Sequence, residues 1–99
     1  MIREYELSKL ALEDINSIWN YTAKKWSVNQ ANHYYKQIFE VIDLICENAK
    51  IGKSLASVKE HHRSIMAQSH MIVYKIEKDK ILIDRILHKR MDIENQLES

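Results

Sequence analysis

The run from Lys80 to Asp92 constrains the fold more than any other stretch, because it is first apolar and rich in β-branched residues and then basic. It is too short and too rich in isoleucine for a convincing isolated helix, so we predict a strand from Lys80 to about His88. Alternate residues fall into two sets, Ile81, Ile83 and Leu87 with Arg85, and Leu82 and Ile86 with Asp84 and His88. A strand that is apolar on both faces belongs inside a sheet. His88, Lys89 and Arg90 place positive or protonatable groups at its end.

Two helices are predicted in the first half of the chain. Ser8 is suited to cap the first helix, which we expect to run to about Lys25. Its apolar stripe comprises Leu7, Ala11, Ile15, Ile18, Trp19, Thr22 and Trp26. Ser27 and Gln30 form a capping-box pattern at the start of a second helix. The stripe of that helix is the most regular in the chain: Ala31, Tyr34, Tyr35, Ile38, Phe39, Ile42, Ile45, Cys46 and Ala49. A tight corner between the helices predicts an antiparallel hairpin.

The remaining predicted elements are strands, a loop and one short helix. Ile2–Leu7 alternates in polarity, and we expect an edge strand with Tyr5 and Leu7 inward. The other segments are a loop over Lys50–Ser57, strands over Val58–Met66 and Ser69–Glu77, and a short helix that Asp92 could cap, through Leu97. The predicted order is therefore β-α-α-β-β-β. This is an α+β fold in which a helical hairpin covers one face of a small, mainly antiparallel sheet, with room for a short C-terminal helix.

Length and composition favour one domain over residues 1–99, with a modest core. No apolar run approaches the roughly 20 residues of a membrane span, and the N-terminus has no signal-peptide apolar region, so no membrane association is expected. Cys46 is the only cysteine, which excludes an internal disulfide and favours a reducing, cytoplasmic location. Because Cys46 lies on an apolar helical stripe, we expect a buried thiol rather than a nucleophile.

The net charge of +1 conceals an uneven distribution. Residues 50–90 hold ten Lys or Arg, four Asp or Glu and four of the five histidines, for a net charge of +6. The segments before and after are acidic, with net charges of −2 and −3. A basic region of this size is equally compatible with a nucleic acid, an acidic protein partner or a solvated surface.

Four groups of residues carry a likeness to a known family. They are Ala11, Asp14, Ile15 and Ile18 in the first helix, Ala31, Tyr34 and Ile38 in the second, His70, Ile72 and Tyr74 in a strand, and Ile83, Arg85, Ile86, Leu87, His88, Arg90, Met91 and Asp92 at the end. In order and spacing they resemble the ParE toxins of the ParE/RelE superfamily of bacterial type II toxin–antitoxin systems. The proline that usually precedes the loop glycine is absent, since Ala49-Lys50-Ile51-Gly52 stands there. This departure concerns the loop conformation alone.

The resemblance implies a RelE/ParE-like fold and one of two alternative activities. ParE-like toxins are described as poisoning DNA gyrase by protein binding, whereas RelE-like toxins cleave mRNA in the ribosomal A site. It also implies a cognate antitoxin that folds on binding and masks the toxin in a hetero-oligomeric complex. No cofactor or metal is expected, because His61 and His62 would point to opposite faces of a strand and no other ligand spacing is present.

The two activities need different residues. A nuclease needs a general acid or base and cations for the phosphate, and His88 with Arg63 and Arg85 could serve. For Arg85, an ion pair with Asp84 or Glu77 is the structural alternative.

The family-like ending and the low net charge favour the gyrase inhibitor, which has no catalytic residues. Its target-binding candidates are Arg63, Arg85, His88, Arg90, Met91 and Asp92. The alternatives are the ribosome-dependent mRNA endonuclease and a non-toxic protein that retains only antitoxin binding.

Overall fold

A computed structural model describes residues 3–91 and 96–97. Its elements are β1 (Glu4–Leu7), α1 (Lys9–Lys25), α2 (Val28–Glu47), β2 (Lys53–Ser54), β3 (His62–Ala67), β4 (His70–Glu77) and β5 (Lys80–His88). The five strands form one sheet in the order β1-β5-β4-β3-β2. β1 runs parallel to β5, and the other pairs are antiparallel. The predicted α+β architecture is confirmed, with the two-residue strand β2 as an addition inside the predicted Lys50–Ser57 loop.

The helices begin where their capping residues predict. Ser8 Oγ accepts from the Ala11 N–H at 3.0 Å and also donates to the Asp84 carbonyl at 2.6 Å, which fixes the start of α1 to β5. Ser27 Oγ accepts from the Gln30 N–H at 3.0 Å and begins α2 after a two-residue corner. Neither helix in the described part of the chain is long and apolar enough to cross a membrane.

The main core lies between the helices and one face of the sheet. The helices contribute Ala11, Ile15, Ile38, Ile42, Ile45 and Cys46, and the sheet contributes Ile72, Tyr74, Ile81, Ile83 and Ile86. A smaller apolar cluster covers the opposite face, where Val73, Leu87 and Leu97 are buried. The expectation of a buried Cys46 thiol is confirmed, and burial together with the nearby Asp43 raises its pKa.

A β-bulge in β5 changes which side chains share a face. Val73 pairs with Arg85, whereas its neighbour Tyr74 pairs with Ile83, so Asp84 is an extra residue in β5. Beyond it the predicted alternation is wrong. Ile86 joins the main core, and Leu87 packs in the cluster on the opposite face.

Other boundaries also depart from the predictions. β3 begins at His62 rather than Val58, because residues 56–61 form turns and His61 has a φ of 64°. Tyr5 was expected to face inward but is 40% exposed, although Leu7 packs against the core. Residues 92–95 of the predicted final helix and Ile2 of the predicted first strand lie outside the described residues. Gln96 and Leu97 are helical.

Candidate functional site

An apolar groove of about 910 Å³ opens at the helical-corner end of the molecule. It lies between the second half of α1, the first turns of α2, the β3–β4 turn and the end of β5. Its lining residues are Ser17, Ile18, Tyr21, Thr22, Trp26, Ser27, Gln30, Tyr34, Ser69, His70, His88 and Met91. The groove therefore combines residues from four separate parts of the sequence.

Exposed aromatic side chains form one wall of this groove. Trp26 is 70% exposed and Tyr21 is 61% exposed. Trp26 belongs to the predicted apolar stripe, but it lies at the two-residue corner beyond the last turn of α1, where the sheet does not cover it. The Lys25 ammonium donates to Tyr21 Oη at 3.0 Å and lies 5.5 Å from the centre of that ring. An uncovered apolar surface with a basic border is typical of a binding site.

A cluster of Tyr34, His70 and His88 forms the floor. His70 and His88 are cross-strand partners, and their rings meet edge to face with centroids 5.1 Å apart. Tyr34 Oη lies 2.6 Å from His70 Nδ1 and accepts from the Ser69 N–H at 3.1 Å. Burial and the neighbouring His88 lower the pKa of His70 from 6.5 to about 4, against an opposing influence of Asp14. His70 is therefore neutral at pH 7, so one of its ring nitrogens carries a hydrogen and the other can accept a hydrogen bond.

The end of β5 brings two predicted target-binding residues, His88 and Met91, to this groove, with Arg90 between them in the chain. His88 Nδ1 accepts from the Arg90 N–H at 3.1 Å, which holds the turn after the strand. His88 and Met91 line the groove, and Met91 is 45% exposed. Arg90 lies between these two residues in the chain, and its side chain is exposed. Asp92, the next candidate, lies outside the described residues.

Arg85 is held inside the protein by Asp14. The two groups form a forked ion pair, with Arg85 Nε 2.8 Å from Asp14 Oδ2 and Nη2 2.9 Å from Oδ1. Asp14 also accepts from the Ile86 N–H at 3.0 Å. This bond occupies the edge of β5 beyond Ile83, where the pairing with β1 ends. The Asp14 hydrogen bond raises the pKa of Arg85. The predicted ion pair of Arg85 with Asp84 or Glu77 is wrong. Asp84 pairs with Lys59 instead, and Glu77 pairs with Lys75.

Arg63 has a different internal partner, and it is far from His88. Its Nη1 donates to the Gly52 carbonyl at 2.8 Å. Arg63 is opposite Tyr74 and His88 is opposite His70, which are four positions apart on β4. With strands about 4.8 Å apart and a rise of about 3.3 Å per residue, the two Cα atoms are roughly 16 Å apart. Arg63, Arg85 and His88 therefore do not form one phosphate-sized site.

Part of this site could not be predicted, because helical spacing places the aromatic residues on the apolar stripes expected to pack against the core. Tyr34 was placed on the apolar stripe of the second helix and Trp26 on that of the first, whereas His70 contributed only to the family resemblance. One signal was present in the sequence, since Trp26 directly precedes the Ser27 cap and so lies at a corner rather than on a helix.

Comparisons with known proteins agree with this fold. The family model described as "ParE toxin of type II toxin-antitoxin system, parDE" matches residues 5–93. Toxin ParE1 of Mycobacterium tuberculosis is 31% identical over 98 residues, covering 98% of this chain and 100% of the relative. Toxin ParE1 of Caulobacter vibrioides is 29% identical over 91 residues, covering 92% and 94%. A chain of the solved structure "Chromosomal ParDE TA system from P. aeruginosa" matches with a TM-score of 0.77 at 16% identity, covering 88% of this chain and 96% of that one.

Proposed function

Because the chain belongs to the ParE toxin family of type II toxin–antitoxin systems, we propose that it inhibits DNA gyrase by protein–protein binding in the cytoplasm and is neutralised by a cognate antitoxin. Residues 1–99 act in this proposal as a single toxin domain without a cofactor or metal. The antitoxin partner is supported by the ParDE system named for the structural neighbour.

The observation that carries the proposal is the internal pairing of both candidate phosphate-binding arginines. An mRNA endonuclease needs cations free to meet the charge that develops on the phosphate. Arg85 is already paired with Asp14, and Arg63 donates to the Gly52 carbonyl. His88 remains at the groove, but the Cα of Arg63 is roughly 16 Å away, and Arg85 uses its Nε and Nη2 to bind Asp14. This arrangement supports binding rather than chemistry.

Target binding is therefore assigned mainly to the groove end of the molecule. His88, Met91 and the exposed Arg90 are close together there. Of the original candidates, Arg63 and Arg85 act in this proposal as supports of the fold, and Asp92 stays a candidate by its position next to Met91. Arg90→Glu should weaken gyrase inhibition without loss of stability. The Arg90 side chain is exposed, and the hydrogen bond to His88 Nδ1 comes from its backbone N–H.

The test compares two activities of the same purified toxin, freed of antitoxin. Gyrase supercoiling is measured beside a ribosomal translation assay with primer-extension mapping of the mRNA. Loss of supercoiling with intact mRNA supports the proposal. Cut mRNA with unaffected gyrase would overturn it in favour of the endonuclease. Inactivity of folded toxin in both assays would identify a protein that retains antitoxin binding only.

Arg90→Glu is examined beside Lys50→Glu, a matched charge reversal in the loop after α2. Equal gyrase inhibition by the two variants would remove the groove end from the target surface while leaving the gyrase assignment itself intact.

A further inference from the structure

The outer side of β1 is an open edge of the sheet, because β1 pairs with β5 alone. The Ser8 N–H donates to the Ile83 carbonyl, and the backbone groups of a strand point to alternate sides. Glu6 therefore also faces β5, whereas the N–H and carbonyl groups of Tyr5 and Leu7 point away from it. In the described part of the chain, no residue is hydrogen-bonded to these outward groups.

The two faces of this edge differ in chemistry. Tyr5 and Leu7 lie on the helix side, where Leu7 packs against the core and the centre of the Tyr5 ring is 6.1 Å from that of Phe39. Tyr5 nevertheless remains 40% exposed. Glu4 and Glu6 lie on the other side of the sheet, and both are exposed. A strand that paired here would place alternate side chains beside an apolar surface and beside carboxylates.

Negative charge prevails around the edge. A cavity of about 540 Å³ at the start of β1 is lined by Arg3, Glu4, Tyr5, Asp43, Cys46 and Glu47. Carboxylates therefore outnumber the single guanidinium in this lining. At the neighbouring start of β5, Lys80 is hydrogen-bonded to Glu6, and this bond raises the pKa of Lys80. The charges of Glu77 and Asp79 raise it further. A basic partner is thus favoured at this edge, and an acidic one is repelled.

A second copy of this chain does not fit the edge. Two β1 strands paired antiparallel would bring Glu4 and Glu6 of one copy next to the same residues of the other. Like charges directly opposite each other destabilise a sheet, and charged edge strands commonly protect a protein against such self-pairing. The occupant is therefore a different protein with the opposite charge pattern.

We infer that the outer edge of β1 is a docking site for an extended segment of another protein, one that alternates apolar and basic residues. In an antiparallel pairing, the apolar residues lie opposite Tyr5 and Leu7 and exchange backbone hydrogen bonds with them. The basic residues lie opposite Glu4 and Glu6. This site does not depend on the proposed function, because it uses none of the residues assigned there to target binding.

The first test uses a synthetic probe, the capped peptide acetyl-Thr-Val-Lys-Val-Lys-Val-Thr-amide, titrated into ¹⁵N-labelled protein. The amide resonances of Tyr5 and Leu7 should move, because their N–H groups gain acceptors. The resonance of Glu6 should move less, since its N–H already faces β5. A peptide with glutamate in place of both lysines should bind at least about tenfold more weakly, because it sets like charges opposite each other.

Methylated probes test whether backbone hydrogen bonds make the contact. N-methylation of two valines removes N–H groups that are predicted to face β1, and should weaken binding about tenfold or more. N-methylation of the two lysines leaves those groups intact, and should weaken binding less than about threefold. The two probes have the same composition, so a difference between them reports the direction in which the backbone faces.

On the protein side, Tyr5→Pro and Tyr5→Ala form a matched pair. Both substitutions remove the ring, but only proline also removes the outward N–H. Proline at an edge position whose N–H faces solvent leaves the pairing of β1 with β5 intact. Tyr5→Pro should therefore bind the peptide about fivefold or more weakly than Tyr5→Ala. Circular dichroism checks that both variants are folded, and the methylated probes answer the same question without altering the protein.

The inference is overturned if the Tyr5 and Leu7 resonances stay unchanged at a millimolar concentration of the probe. Equal affinities of the two methylated probes, or equal affinities of folded Tyr5→Pro and Tyr5→Ala for the unmodified peptide, would also overturn it. Resonance changes confined to His88 and Met91 would assign the peptide to the groove at the other end of the molecule, and would likewise contradict docking at β1.

Discussion

The ion pair between Asp14 and Arg85 should be the most costly polar contact to break, and Asp14→Ala tests this. Asp14 accepts three hydrogen bonds at 2.8–3.0 Å, two from Arg85 and one from the Ile86 N–H. The two side chains are only 15% and 14% exposed. Removing one member of a buried pair costs about 3–5 kcal/mol. Because water still reaches this pair, we expect a loss of about 2–4 kcal/mol from the free energy of unfolding.

A double-mutant cycle isolates the pair from the rest of the site. Asp14→Ala, Arg85→Met and the double variant are unfolded in urea at pH 7 and followed by circular dichroism. The two single costs should exceed the double cost by about 1–3 kcal/mol, because either substitution alone leaves a partner without its contact. In the Arg85→Met background, Asp14→Ala should still cost about 1 kcal/mol through the Ile86 N–H.

Thermal unfolding gives an independent reading of the same loss. For a chain of this size, a loss of 1 kcal/mol in the free energy of unfolding lowers Tm by about 4–8 °C. Asp14→Ala should therefore unfold at least 10 °C below the unaltered protein, which corresponds to a loss of about 2 kcal/mol. Glu77→Ala is the control, since its pair with Lys75 is exposed and 3.5 Å long and should contribute about 1 kcal/mol or less. Additivity of the Asp14 and Arg85 costs within about 0.5 kcal/mol would refute the idea that this pair fixes α1 to β5.

Three further predictions concern the contacts of Gly52, Tyr74 and His70. Gly52→Ala should destabilise the protein by about 2–3 kcal/mol in urea, because a new Cβ would lie 2.8 Å from Tyr74 Cε1 while hydrogen bonds hold that ring; stability equal to that of the unaltered protein would contradict this. Tyr74→Phe should cost about 2–3 kcal/mol, since it removes the acceptor of the Gly52 N–H and the donor to the Ala49 carbonyl; a loss below about 0.5 kcal/mol would refute it. His70, with a pKa of about 4, stays neutral where the unfolded chain gains a proton, so stability should fall as pH drops from about 6.5 to 4. That fall should be about 1–3 kcal/mol larger than in His70→Gln, and equal pH slopes in the two proteins would be inconsistent with it.

Local sequence signals predicted the helices well and the end of the sheet poorly. Ser8 and Ser27 each supply a side-chain acceptor at a helix start, which depends on residues within three positions. The bulge at Asp84 depends instead on how β5 meets β4 and α1. Nothing within the apolar run marks its position, so Ile86 and Leu87 were placed on the wrong faces.

The partner of Arg85 shows the same limit for the site. The sequence offered acidic residues nearby on the chain, but the observed carboxylate is that of Asp14, 71 positions away. Only the packing of α1 over the open edge of β5 brings the two together. The groove could not be predicted for the same reason. Its lining residues Trp26, Tyr34, His88 and Met91 come together only when the helical hairpin packs on the sheet.

The location of this pair also bears on what the family resemblance can say about function. Asp14 and Arg85 were both among the residues that carried the likeness, and the structure pairs them with each other inside the fold. In this chain the two residues hold α1 against β5 and are used by the fold itself. In the proposed function the choice of target therefore depends on side chains that the fold does not use, such as Arg90 and Met91. That proposal predicts that substitutions there, rather than at Arg85, change activity while leaving the protein folded.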